Sequence, residues 1–137
     1  MLDDLGLEPA LEWQAREFSR RSGIPVEFKT DGSLGNLPED MRTCIYRVVQ
    51  ESLTNCARHS RAKTVRIDIH GGFAELSLTV RDDGVGFDPA QINSGGLGLI
   101  GIQERIRELK GTVVVDSHPG KGTVLKAVIP LKAEASI

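Results

Sequence analysis

The sequence lacks most of what would staple, anchor or strongly charge a protein. Cysteine occurs only twice in 137 residues, at Cys44 and Cys56, and both positions fall inside one apolar helical pattern. Neither forms a C-x-x-C pair or stands beside histidine ligands, so the spacing gives no sign of a disulfide framework or a thiolate metal cage. Buried reduced thiols of a cytoplasmic protein are the plainer reading. Positive charge is not in excess, with 17 Lys and Arg against 19 Asp and Glu and a net charge of −2. That is too little for a phosphate-backbone binder, and nucleic acid is not an expected partner. No uninterrupted apolar run approaches the roughly 18 residues of a membrane span. The opening stretch 1–7 carries two acids where a signal peptide carries basic residues. Direct membrane contact is therefore not expected of this chain, although a membrane-anchored parent protein stays open.

What is present is enough apolar sequence, 39% of residues, to build one core. Residues 1–137 are expected to form a single domain of the usual roughly 100–150 residues. Leu11, Ala15 and Phe18 make one apolar stripe within good helix formers over 8–21, with Gly23 where a helix stops. Ile24, Val26 and Phe28 alternate as a short strand, and a turn is expected over 31–35. A long helix is expected over 38–59, because Met41, Ile45, Val48, Val49, Ser52, Leu53 and Cys56 recur at three- and four-residue spacing. Glu51, Asn55 and His59 then form an i, i+4, i+8 ridge along the flank of that buried stripe.

Val65, Ile67 and Ile69 mark a strand, and Ala74, Leu76, Leu78 and Val80 mark the next, joined through Gly71 and Gly72. The alternation continues to Asp82, which places it on the apolar face and Asp83 on the opposite one. A carboxylate facing a core needs a partner or a function. A third helix carries Leu99, Ile102, Ile106 and Leu109, and strands over 113–115 and 124–129 flank a turn at 118–122. The order α, β, α, β, β, α, β, β predicts an α/β two-layer sandwich: a mixed, mostly antiparallel five-stranded sheet covered on one face by three helices.

Two phosphate-loop patterns fail on context. Gly96, Gly98 and Gly101 spell G-x-G-x-x-G, yet polar sequence with Pro89 precedes them where a dinucleotide fold needs a strand. Gly120-Lys121-Gly122-Thr123 has the wrong order for a Walker loop and leads into a strand.

Three ordered segments remain. The long helix offers Gln50 to Asn55; a strand ends in Asp82-Asp83-Gly84-Val85-Gly86; and Gly95-Gly96-Leu97-Gly98-Leu99-Ile100-Gly101 opens a helix. Here the chain resembles the ATP-binding catalytic domain of histidine protein kinases, in the superfamily that includes the gyrase and heat-shock chaperone ATPase domains. The segments look like its N box, D-x-G-x-G box and G-x-G box, and the resemblance runs from about residue 5 to 131. The runs YRVVQESLTNCARHS (46–60) and GLGLIGIQER (96–105) resemble the subfamily of nitrate and membrane-fluidity sensors.

The resemblance implies a role for each matching residue. Asp82 would accept a hydrogen bond from the adenine amine, with Gly84, Val85 and Gly86 beside base and ribose; as a residue in its own right, Asp82 also suits a turn before Gly84. Asn55 would ligate Mg²⁺ through its amide oxygen, or pack at a helix edge. Arg58 would pair with phosphate, or be an ordinary helix charge. Gly96, Gly98 and Gly101 would offer backbone amides to phosphates at a helix N-terminus, and Leu97 and Leu99 would belong to a closing lid. Thr123 would help hold adenine, or be an ordinary strand residue. Glu51, one turn before Asn55, would contribute to catalysis or form a salt bridge.

The implied function is transfer of the γ-phosphoryl group of Mg²⁺-bound ATP to a histidine on a separate dimerisation domain, then to a response regulator. None of His59, His70 and His118 has a phosphoacceptor context, so the acceptor would lie outside this chain. A nucleotide-binding switch without transfer and a plain ATPase are the alternatives.

Overall fold

Helix α1 (Leu7–Ser22) forms where the apolar stripe predicted it, burying Leu7, Ala10, Leu11, Ala15 and Phe18. It stops at Gly23, whose φ of 78° is left-handed and whose N–H closes on Ser19 O at 2.9 Å. The structure is a computed structural model that describes residues 6–32, 34, 37–57, 62–85 and 99–131.

Strand β1 (Val26–Gly32) begins and ends later than the alternation of Ile24, Val26 and Phe28 suggests. Its neighbour explains the shift. Strand β2 (Val65–Gly71) lies parallel to it residue for residue, from Val26 beside Val65 to Gly32 beside Gly71, so pairing carries β1 through the expected turn. Asp31 and the His70 ring are bonded across this pair. Pro25 lacks an N–H but its carbonyl accepts from Val65 N at 3.0 Å.

Helix α2 (Glu39–Asn55) follows Pro38, with Glu39 and Asp40 favourably placed in its first turn. Met41, Cys44, Ile45, Val48, Val49, Ser52 and Leu53 form its buried face. The regular helix stops at Asn55, and Cys56 and Ala57 continue in a wider turn, so the expected extension to residue 59 is not α-helical from Cys56 on. Arg58 and His59 lie outside the described residues.

Strand β3 (Glu75–Asp82) pairs antiparallel with β2 and with β5 (Thr123–Pro130), which in turn pairs with β4 (Thr112–Ser117). The sheet order is β1-β2-β3-β5-β4, with β1–β2 its parallel pair. Helix α3 (Leu99–Glu108) buries Ile102 and Ile106. Val65, Ile67, Ile69, Leu76, Leu78, Val80, Leu125, Ala127 and Ile129 form one buried face of the sheet, while Arg66, Arg81 and Lys126 on the other are exposed. Each large buried aliphatic contributes about 1.5–3 kcal/mol. The α/β sandwich is thus the one expected, and it delivers the C-terminal ends of β3 and α2 to the same edge of the core.

Candidate functional site

Period-two alternation carries β3 from Leu76, Leu78 and Val80 to Asp82, so the carboxylate ends up buried on the core face, 9% exposed. Its Oδ1 accepts from Gly84 N–H at 2.8 Å, and its Oδ2 faces Sγ of Cys56 at 3.6 Å. Burial pushes the Asp82 carboxyl above the usual aspartate range, and the Asp83 charge pushes the same way. The Gly84 N–H, the Cys56 thiol and the Thr123 N–H pull it back. Asp83 serves differently. Its Oδ1 accepts from the N–H groups of Lys63 and Thr64 at 2.8 and 2.9 Å, and its Oδ2 from Thr64 Oγ1 at 3.0 Å. Those bonds hold its carboxyl below the usual range and tie down the chain entering β2.

The wall of the Asp82 niche comes from the β4–β5 turn. Thr123 stands directly across from Asp82 in the β3–β5 register. Its hydroxyl lies 2.7 Å from Ser117 Oγ, which also donates to Gly122 O at 3.1 Å. Gly120 N–H donates to Val85 O, fastening the turn to the chain that leaves β3. Gly122 has φ of 78°, and a Cβ there would collide with Asp82 O and sit 3.2 Å from Asp83 Cα. Only glycine allows that approach.

Beyond Cys56 the ridge of α2 continues with Asn55 and Glu51, both half-buried. Neither side chain makes a hydrogen bond among the described residues. Thr54 Oγ1 is turned back onto Gln50 O at 3.0 Å. A groove of about 330 Å³ runs between α2 and α3, lined by Arg47, Gln50, Glu51 and Thr54 on one side and Gly101, Ile102 and Arg105 on the other. Among the described residues a Cβ at Gly101 would meet nothing within 4 Å. Leu99 packs partly against the core.

The structure therefore gathers the predicted residues in two adjoining places. Asp82, Gly84, Val85 and Thr123 frame the niche; Glu51 and Gly101 line the groove; and Asn55 ends α2, just before the Cys56 that faces Asp82. Arg58, Gly86, Gly96, Leu97 and Gly98 lie outside the described residues. Sequence reasoning missed Cys56, Gly122, Arg47 and Arg105 as neighbours of the site. Arg47 sits one turn before Glu51, and Arg105 one turn after Gly101, so helical spacing held that signal. Nothing in the sequence marks the contact between Cys56 and Asp82, 26 positions apart. Chemically, the niche offers a carboxylate acceptor to an N–H donor, and the groove beside it offers two guanidinium groups and one carboxylate.

Residues 41–133 match the family described as histidine kinase-, DNA gyrase B-, and HSP90-like ATPase. The chain is 36% identical over 133 residues to the signal transduction histidine-protein kinase/phosphatase DegS of Brevibacillus brevis, covering 97% of this chain and 34% of that protein. It is 34% identical over 131 residues to the oxygen sensor histidine kinase NreB of Staphylococcus carnosus, covering 95% of this chain and 38% of that protein. In fold it is similar to the blue-light activated histidine kinase of Erythrobacter litoralis EL346, with a TM-score of 0.74 at 23% identity over 96% of this chain and 43% of that one. The histidine kinase AdeS of Acinetobacter baumannii has a TM-score of 0.74 at 18% identity, covering 91% of this chain and 64% of that one. The chain spans about a third of the length of those two curated relatives.

Proposed function

The chain belongs to the family of histidine kinase-, DNA gyrase B- and HSP90-like ATPases, as an ATP-binding catalytic domain, and on that footing we propose that it binds Mg²⁺-ATP and donates the γ-phosphoryl group to a histidine on a dimerisation domain outside these 137 residues. A response regulator then receives the group from that histidine. The observation that carries this reading is the buried Asp82 carboxylate, flanked by Gly84 and Thr123 and in contact with Cys56, the residue that follows Asn55.

Asp82 accepts from the adenine exocyclic amine. A hydrogen bond to an ionised acceptor is worth about 1.5–3 kcal/mol, enough to dominate base selectivity. Gly84, Val85 and Gly86 let base and ribose approach the backbone, and Thr123 supports the base from the facing strand. Asn55 offers its amide oxygen toward Mg²⁺. Magnesium takes most of its ligands from phosphate and water, so one amide oxygen from the protein is chemically sufficient. When bound, such an ion supplies charge neutralisation across the phosphates. Arg58 and the backbone of Gly96, Leu97, Gly98, Leu99 and Gly101 receive the phosphates.

Transfer breaks the bond from γ-phosphorus to the β–γ bridging oxygen and forms a bond to an imidazole nitrogen, releasing ADP. Positioning and charge neutralisation supply most of the rate, so little base help is needed. Glu51, facing the groove, orients the acceptor or a water molecule. That same carboxylate, with no hydrogen-bond partner among the described residues, favours ATP hydrolysis as the second reading.

The domain acts in the cytoplasm, without membrane contact or nucleic acid. No helix among the described residues is long and apolar enough to cross a membrane. Titration calorimetry with a nonhydrolysable ATP analogue tests the binding half of the proposal. The chain should bind the analogue, and bind it more weakly in a chelator; no heat of binding in either condition contradicts it.

A further inference from the structure

We propose that Cys56 is a positioning residue for nucleotide recognition: its thiol donates to Oδ2 of Asp82 and sets the plane of the carboxylate that faces adenine. The inference rests on Asp82 as the adenine acceptor and adds the group that aims it.

Cys56 is 3% exposed, and its Sγ lies 3.6 Å from Oδ2. The Gly84 N–H occupies the other oxygen at 2.8 Å. Rotation of an aspartate carboxylate about its last torsion is soft, with no sharp staggered wells to hold it. One donor on each oxygen removes that freedom. Each carboxylate oxygen has a second lone pair, so both donors leave acceptor capacity for a ligand. A thiol is a weak donor to a neutral acceptor, but a carboxylate makes the bond charge-assisted. Among the described residues, Asp83, Gly84, Thr123 and Cys56 act on the Asp82 carboxylate.

The contact also sets a distance. Cys56 follows Asn55 directly, where α2 gives way to a wider turn and the Cys56 N–H is shared between Ser52 O and Leu53 O. A bond from this turn to the end of β3 therefore fixes the adenine end of the site relative to the residue assigned to the phosphate end. Cys44 provides the contrast. It too is buried on α2, its thiol pushed up to about 11 by burial, but it lies near Glu39, Asp40 and Glu108 at the other end of the helix.

Alanine and serine are close in size, and each removes the sulfur, so comparing them separates the hydrogen bond from packing. Calorimetry with nonhydrolysable ATP and GTP analogues on Cys56→Ala, Cys56→Ser and Cys44→Ala, each with its melting temperature, tests the inference. The alanine variant should lose about fivefold or more in ATP affinity and show a smaller ATP-over-GTP preference. Cys56→Ser should stay within about twofold of the wild type on both counts, as should Cys44→Ala. Should Cys56→Ala unfold at the assay temperature, Cys56→Val serves as the donor-free variant. Equal behaviour of the serine and donor-free variants, or a proportionate loss for both nucleotides, overturns the role of Cys56. Unchanged ATP affinity in Asp82→Asn overturns the adenine assignment beneath it, and the inference with it.

Discussion

Asp82 and Asp83 are consecutive in the chain yet their carboxylates point to opposite faces at the end of β3. The first is buried against the Cys56 thiol; the second is exposed and holds the N–H groups of Lys63 and Thr64. One carboxylate lies on the core face beside Cys56 and Gly84, and the other fastens the entrance of β2.

Asp82→Asn replaces an acceptor-only group by an amide that can present a donor to the adenine amine. ATP affinity should fall at least tenfold, about 1.4 kcal/mol or more, in a calorimetric titration. Asp83→Asn should change that affinity much less. The reverse order contradicts the division of labour between the two residues.

The two carboxyls also shift in opposite directions, and their effects on stability have opposite signs. Asp82, raised on folding, ionises more readily in the unfolded chain, so its contribution is full below the ordinary aspartate value and is lost as pH rises through its folded value. Asp83, lowered on folding, contributes stability above the ordinary value that is lost as pH falls through its folded value. Between about pH 3 and 7, the melting temperature of the wild type should fall relative to Asp82→Asn and rise relative to Asp83→Asn. Parallel curves for both variants contradict these directions.

Asn55→Ala removes the amide oxygen assigned to Mg²⁺ and adds no charge beside the phosphates. It should perturb binding of the ATP analogue in Mg²⁺ by a larger factor than binding in a chelator. Equal effects in the two conditions assign Asn55 to packing at the helix edge.

Gly120 and Gly122 both have positive φ, of 82° and 78°, but only Gly122 is crowded by β3. Gly120→Ala should cost about 1–2 kcal/mol, the strain of a left-handed residue. Gly122→Ala must also displace the backbone at Asp82, so it should destabilise more in urea and weaken ATP binding as well. Similar midpoints for the two variants contradict the close approach.

The strand period made Asp82 legible, because an alternation begun at Leu76 decides the face of every later residue. The helix period did the same for Glu51 and Asn55. The end of that helix was not legible: Cys56 completes the apolar pattern of α2, yet the regular helix stops one residue before it, at Asn55. Nor was the full span of β1, since its length is set by a parallel partner 39 positions away at His70 opposite Asp31. Gly122 looked like a turn glycine because its collision partner, Asp82, is 40 positions earlier. Spacing reads faces within an element, whereas contacts between elements depend on packing that only the folded chain reveals.

The most direct measurement of the central claim follows the label from [γ-³²P]ATP when this chain is mixed, in Mg²⁺, with a separately purified dimerisation fragment of its parent kinase. Acid-labile, base-stable label should appear on the fragment's histidine and none on this chain, and Asp82→Asn should strongly reduce the transfer. Label appearing as free phosphate, on His59, His70 or His118, or remaining wholly in ATP contradicts that claim.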